Sequence, residues 1–356
     1  MTDPEMTDPE TVRRALHWQA DYCTRNGAPI TGRVCTALAA VLDGTTATGA
    51  RALGWPGQPI IDALPLRLAG PLHALVRSGR GGGALDAVYR GEVVAAGAVA
   101  DAVGQALRAH DAEIVGWLDG PPQTNEAARS GVLMAGLLTL AARFGPRVEL
   151  LEIGSSAGLN LMIDRYRFDL GGVIVGPDDA AIRIAPEWRG PPPPAAPVRI
   201  ERVRGVDIAP IDLTAPGQAE RLMAYVWVDQ ADRLARTARA IALAQADPPA
   251  LDRGDAADWV EARLAEPQAA GVTRVLMHSV VWQYLPGETQ RRIERAMAAA
   301  GAAATAGRPL GWVAYESDRR DGQHELTVRR WPGGGEAETL ARAHPHGTWI
   351  EWIAAG

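Results

Sequence analysis

The sequence predicts an α/β protein in which an N-terminal helical domain precedes a doubly wound, mostly parallel sheet. Three observations lead to this. Residues 11–145 are dominated by Ala, Leu and Arg and contain no β-branched run suited to a strand. From residue 147 onward short apolar runs alternate with helical segments, with glycine-containing turns between them. The last strand–helix unit is followed only by strand candidates, which close the sheet.

Within the helical part, Thr11–Tyr22, Ile30–Leu42, Ile60–Val76 and Glu92–Leu118 read as helices, punctuated at Gly54–Pro59 and Gly79–Gly83. The opening MTDPEMTDPE repeats its own five residues and reads as a disordered tail over residues 1–10.

The α/β part spans residues 147–356. Arg147–Ile153 is an apolar strand, followed by the turn Gly154–Gly158 and a helix expected over Leu159–Arg165. A turn-rich insertion over about residues 166–220 carries strand-like segments at Ala181–Ala185 and Val198–Val203, read as an inserted hairpin or small sheet. Ala224–Val228 is then a strand candidate ending at Asp229, and Ala231–Ala246 a strong helix. Ala250–Arg253 and Arg274–Met277 are strands, and Trp259–Leu264 and Gly287–Ala300 helices. Leu310–Tyr315, Glu325–Arg330 and Trp349–Trp352 are the closing strands.

Composition narrows the function classes. Hydrophobic residues at 47% and charged residues at 22% fit a globular protein with a substantial core. No apolar run is long enough for a membrane span, and the start has no basic or apolar leader, so a cytoplasmic protein is expected. A net charge of −6 argues against a nucleic-acid partner. All 36 basic residues are Arg, which excludes Schiff-base chemistry through lysine. The two cysteines have no zinc spacing, and His344-Pro345-His346 lacks partner ligands, so no metal is expected and that segment reads as a solvated loop.

The chemistry centres on Glu152-Ile153-Gly154-Ser155-Ser156-Ala157-Gly158, a strand-to-helix turn where glycines allow close approach of a ligand. With Asp229 after the next strand candidate, Asp255 in Gly254-Asp255-Ala256 and the apolar strand running into Leu285-Pro286, it resembles the class I S-adenosylmethionine-dependent methyltransferases, with Ser156 at the position of the middle glycine. The resemblance covers residues 147–356 and implies a Rossmann-type sheet. It also implies cofactor contacts from Glu152, Gly154, Ser156, Gly158, Asn160, Asp229 and Asp255. Asp229 would hold the ribose hydroxyls, with Asp207 or Asp212 as the alternative, and Asp255 would lie near the adenine. The phrases Ser156–Leu161, Gln123–Glu126 and Val281–Tyr284 also resemble a bacterial family of uncharacterised domains.

The expected activity is methyl transfer to a small-molecule acceptor. His278, placed after the fourth strand, is the candidate general base. Asn125, Glu126 and Arg129, with Trp282 and Tyr284, are the candidate substrate contacts. Thr124 as a helix cap is the plainer reading of the Gln123–Glu126 phrase. Two other readings stay open. Gly154–Gly158 also fits G-x-S-x-G, the nucleophile elbow of α/β hydrolases, with Ser156 as nucleophile and His278 or His324 as base. A non-catalytic cofactor-binding protein is the third.

Overall fold

The computed structural model describes residues 8–317 and 323–354. The expected tail falls outside them except at its end. There Pro9 and Glu10 already open the first helix, because Asp8 caps it through the Glu10 amide at 3.2 Å. Seven helices follow one another: α1 (Pro9–Arg25), α2 (Pro29–Val41), α3 (Ala47–Leu53), α4 (Leu64–Arg77), α5 (Gly82–Tyr89), α6 (Ala96–Ala109) and the single turn α7 (Asp111–Ile114). Helix α8 (Arg129–Phe144) leads into β1 (Arg147–Ile153), the strand that the sequence predicts. The next strands are β2 (Arg167–Leu170), β3 (Val173–Val175), β4 (Arg183–Ile184), β5 (Glu187–Arg189) and β6 (Arg199–Asp207). Then come α9 (Gln218–Ala224), α10 (Ala231–Ala246), β7 (Leu251–Arg253), α11 (Ala256–Ala265), β8 (Thr273–Ser279) and α12 (Gly287–Ala302). The chain closes with β9 (Leu310–Ser317), β10 (His324–Trp331), β11 (Glu338–Ala343) and β12 (Trp349–Trp352).

Two compact units result. One runs to Thr124 and takes back Ala215–Ala238; the other holds Asn125–Thr214 and Arg239 onward. The first unit is built on a helical core that includes Leu16, Leu38, Leu68, Leu72 and Val103. Its returning segment differs from the sequence reading. Ala224–Val228 is not a strand: α9 ends at Ala224 and a turn continues to Asp229. His73 Nδ1 bonds the Ala224 carbonyl at 3.1 Å, and Tyr22 and Trp227 meet edge to face, so the apolar run packs as a loop among helices.

The second unit carries a nine-stranded, mostly parallel sheet in the order β5-β12-β11-β10-β9-β8-β1-β6-β7. The five strands β7-β6-β1-β8-β9 are all parallel; β10 and β11 add antiparallel hairpins. Strand register divides the residues between faces. Glu152 pairs with Met277 and Met277 with Val313, on the face where Gly136 of α8 lies against Val313. Leu151, Leu276 and Trp312 face the opposite way and pack with Ile293 and Met297 of α12. Helices therefore cover both faces, as a mostly parallel sheet requires.

The insertion is smaller and more spread out than expected. β2, β3 and β4 form a separate three-stranded sheet, whereas β5 pairs with β12 at the far edge of the large sheet. Val198–Val203 is not part of the inserted sheet: β6 lies directly beside β1, over seven paired residues from Arg147↔Arg199 to Ile153↔Val206. Its exposed arginines, Arg199, Arg202 and Arg204, obscured a strand of the large sheet. Among the described residues, no helix is long and apolar enough to cross a membrane.

Candidate functional site

The turn after β1 is held almost entirely by protein contacts. Ser155 N donates to Val206 O at 3.1 Å, Ser156 N to Asp207 Oδ2 at 2.9 Å and Gly158 N to Ser155 O at 2.7 Å. Leu159 N donates to Asn125 Oδ1 at 2.8 Å. No α-helix follows; the expected helix over Leu159–Arg165 is replaced by turns and a single 3-10 turn at Ile163–Arg165. The buried Tyr166 hydroxyl donates to the Leu159 carbonyl at 2.7 Å, which holds that segment out of helical geometry. Both glycines have positive φ, +68° at Gly154 and +75° at Gly158. A Cβ would strike Val281 at the first and Pro249 at the second, so protein packing accounts for these glycines. Ser156, without that freedom, is also left-handed at φ 54°.

Three carboxylates line the carboxyl edge of neighbouring parallel strands. Glu152 is on β1, Asp207 ends β6, and Asp255 follows β7. The Gly254 amide donates to the Asp207 carbonyl at 3.1 Å, which places the second and third side by side. Asp207 Oδ1 takes the Ala209 amide and Asp255 Oδ1 caps α11 through Ala257 and Asp258, leaving Asp255 Oδ2 without a partner among the described residues. Asp212 sits further along the loop, folded onto Thr214.

Asp229 does not belong to this row. Its carboxylate caps α2, taking the amides of Ile30 and Thr31 at 2.8 and 3.1 Å and the Thr31 hydroxyl at 2.9 Å. Local capping is absent there, because Ala28 stands at the cap position and supplies no side-chain oxygen. The Asp229 carboxylate, expected at a ribose, is thus committed to capping α2, whereas Asp207, the alternative, lies at the end of β6.

Glu152 is hydrogen-bonded to Ser155 and Asn160, and Asn160 leads on to Ser279; Asn125, Glu126 and Arg129 are likewise buried polar residues, just before α8 and at its start. Asn125 fixes the β1 turn, and Glu126 takes the Ala128 amide at 3.0 Å. Arg129 reaches the Pro345 carbonyl at 2.8 Å, so the His344–His346 segment is half-buried and part of the scaffold, not a solvated loop. Thr124 is not a cap either, since α8 begins at Arg129. Asn160 Nδ2 approaches Ser279 Oγ at 3.5 Å. Among the described residues, Glu152 Oε2 and Asn160 Oδ1 have no hydrogen-bond partner, and both residues are only 1% exposed. Burial pushes the Glu152 carboxyl up to about 7, against hydrogen bonds with Ser155 and Asn160 that favour its ionised form. Glu152 and Ser279 lie on β1 and β8, where the chain switches from one side of β1 to the other, the point at which ligands bind in open parallel sheets in general.

His278, the expected base, is tied into the protein through both ring nitrogens. It lies inside β8 and faces away from Glu152, since its neighbour Met277 pairs with Glu152. Its Nδ1 bonds Glu316 Oε1 at 2.6 Å, and its Nε2 accepts the Trp312 indole N–H at 3.0 Å. Its ring also stacks on Trp282 at 5.2 Å. Tyr284 is 65% exposed on the same loop.

Comparison with known families matches residues 13–352 to the model of the family described as "Uncharacterized protein conserved in bacteria (DUF2332)". The chain belongs to this family. The phrases Gln123–Glu126, Ser156–Leu161 and Val281–Tyr284 all lie within the matched span. Neither the curated proteins nor the solved structures gave a match.

Within this family member the hydrolase elbow loses its footing. That motif needs a helix directly after the serine, and none forms; its first candidate base, His278, is fully engaged. Sequence reasoning missed Ser279 as a site residue and held Asp207 only as an alternative. Period-two alternation from Met277 points to Ser279, not His278, as the β8 side chain on the Glu152 face.

Proposed function

We propose that the chain binds S-adenosylmethionine along the carboxyl edge of β1, β6 and β7 and transfers its methyl group to a small acceptor. The observation that carries this reading is the row Glu152, Asp207, Asp255 on three adjacent parallel strands, beside two unsatisfied buried acceptors. Among the described residues Glu152 Oε2 and Asn160 Oδ1 both lack donors, and an ammonium group is a donor only, so the residues present fit the amino acid end of that cofactor. Asp207 retains acceptor capacity for ribose hydroxyls, and Asp255 Oδ2 is available for the adenine amine. The absent helix after β1 supports a cofactor without phosphate, because dinucleotide folds seat their pyrophosphate on that helix N-terminus.

The bound cofactor supplies an electrophilic methyl group on a sulfonium. The protein's part is to orient the acceptor and exclude water, which supplies much of the acceleration in such displacements. Glu152, held near neutral by burial, becomes fully charged when an ammonium pairs with it. A thermal-shift panel tests the assignment: S-adenosylmethionine and S-adenosylhomocysteine should raise the midpoint, while nicotinamide dinucleotides and simple esters should not. A shift with a dinucleotide alone, or ester turnover that is lost in Ser156→Ala, would replace it.

A further inference from the structure

On the opposite face of the sheet from Glu152 lies a separate cavity of about 170 Å³. Its floor is made by two small side chains paired across strands, Ala314 on β9 and Thr327 on β10. Flanking them on β9 are Trp312 and Glu316, two residues to either side and therefore on the same face. The cavity exists because small residues sit between large ones.

Its two ends carry opposite charge. At one end Arg329, paired with Trp312 in register, lays its guanidinium over the indole at 5.0 Å. It makes no ion pair among the described residues, so its donor edges are available to an anion. At the other end Glu316 uses only Oε1, which takes both His278 Nδ1 and the Val281 amide. Oε2 has no protein partner among the described residues. Glu294 of α12 adds a second, exposed carboxylate to the lining with no ion pair of its own among the described residues, and Trp282 adds an aromatic wall. The four-residue step from Trp312 to Glu316 spans roughly 13 Å of strand, but the Trp312 indole and the Glu316 carboxylate both bond the His278 ring, which brings them closer than the strand step. The His278 network, which contributes nothing to the Glu152 site, thus holds Glu316 and Trp282 in place here.

We propose that this cavity is a second small-molecule site, specific for a small zwitterion whose carboxylate meets Arg329 and whose cationic nitrogen meets Glu316, Glu294 and the Trp282 ring. A forked guanidinium recognises a carboxylate, and an aromatic face with carboxylates recognises an ammonium. The volume is close to that of an engineered cavity of about 150 Å³ that admits one benzene, which suits a small amino acid or betaine. The site does not depend on the cofactor reading.

The test is calorimetric titration of the full chain with glycine betaine, with acetate and tetramethylammonium as half-ligand controls. Glycine betaine should bind at millimolar concentration and each half-ligand at least about tenfold more weakly. Ala314→Leu should abolish binding by filling the floor, and Arg329→Gln should weaken it about tenfold or more. Glu294→Gln, on the exposed side of α12, should weaken it without lowering the thermal midpoint. Absence of binding to folded wild type, binding by folded Ala314→Leu equal to wild type, or acetate binding as tightly as betaine would each overturn the proposal. Should Ala314→Leu not fold, an unchanged affinity in Glu294→Gln together with Arg329→Gln would overturn it equally.

Discussion

The Ser156 amide donates to Asp207 Oδ2 at 2.9 Å, so the turn after β1 is fastened to the end of β6 by one carboxylate. The same residue takes the Gly254 amide on its carbonyl, which joins β7 to the pair. Asp207 therefore both shapes the turn and stands in the proposed ribose position. Asp207→Ala removes a charge-assisted bond and should lower S-adenosylhomocysteine affinity by roughly one to two decades. Calorimetry on a sample whose fold is checked by circular dichroism gives the answer; unchanged affinity would remove Asp207 from the site.

Asp229→Ala should behave in the opposite manner. It deprives α2 of the carboxylate that caps it, worth about 1–2 kcal/mol of stability. Denaturant unfolding should show that loss, and S-adenosylhomocysteine affinity should stay within about twofold of wild type. A loss of affinity with intact stability would return the ribose role to Asp229.

Glu152 makes stability depend on pH. Its folded carboxyl is raised by burial from 4.5 to about 7. Below the unfolded value both states hold the proton and the group's contribution is fully present. As pH rises through the folded value the unfolded chain has already released its proton, so that contribution is lost. Glu152→Gln abolishes this term. Its stability relative to wild type should rise by about 3 kcal/mol between about pH 4 and pH 8. A difference that stays flat over that range would show that Glu152 is ionised in the folded chain.

Gly158 is conformationally constrained. Its φ is +75°, and a Cβ at that position would lie only 2.6 Å from the Pro249 ring. Gly158→Ala should therefore cost at least about 1–2 kcal/mol in urea unfolding. Wild-type stability in that variant would contradict the left-handed turn.

Much of the sheet was legible because buried parallel strands are short apolar runs: Arg147–Ile153 and the strands near Arg274 and Leu310 lie at or near the bounds that the sequence predicts. The places of Glu152 near the end of one such run and of Asp255 just after another were legible for the same reason. Asp229 misled because Tyr225-Val226-Trp227-Val228 is apolar enough for a strand yet is buried among helices, a tertiary preference that local sequence does not encode. β6 was obscured by exposed arginines that pair with carboxylates on neighbouring strands, as Arg204 does with Asp252 at 2.7 Å. The helix expected after Gly158 had the right composition but loses to the buried Tyr166 and Asn125 contacts with the Leu159 backbone. His278 and Ser279 are adjacent in sequence and face opposite ways, and only the register with β1 decides which of them meets Glu152.

Whether the Glu152–Asp207–Asp255 edge holds an adenosyl cofactor is decided by calorimetric titration of the wild-type protein with S-adenosylhomocysteine. Saturable binding of one equivalent is expected, weakened in Asp207→Ala and retained in Asp229→Ala. No heat of binding from protein shown to be folded, at concentrations up to millimolar, would refute the cofactor assignment.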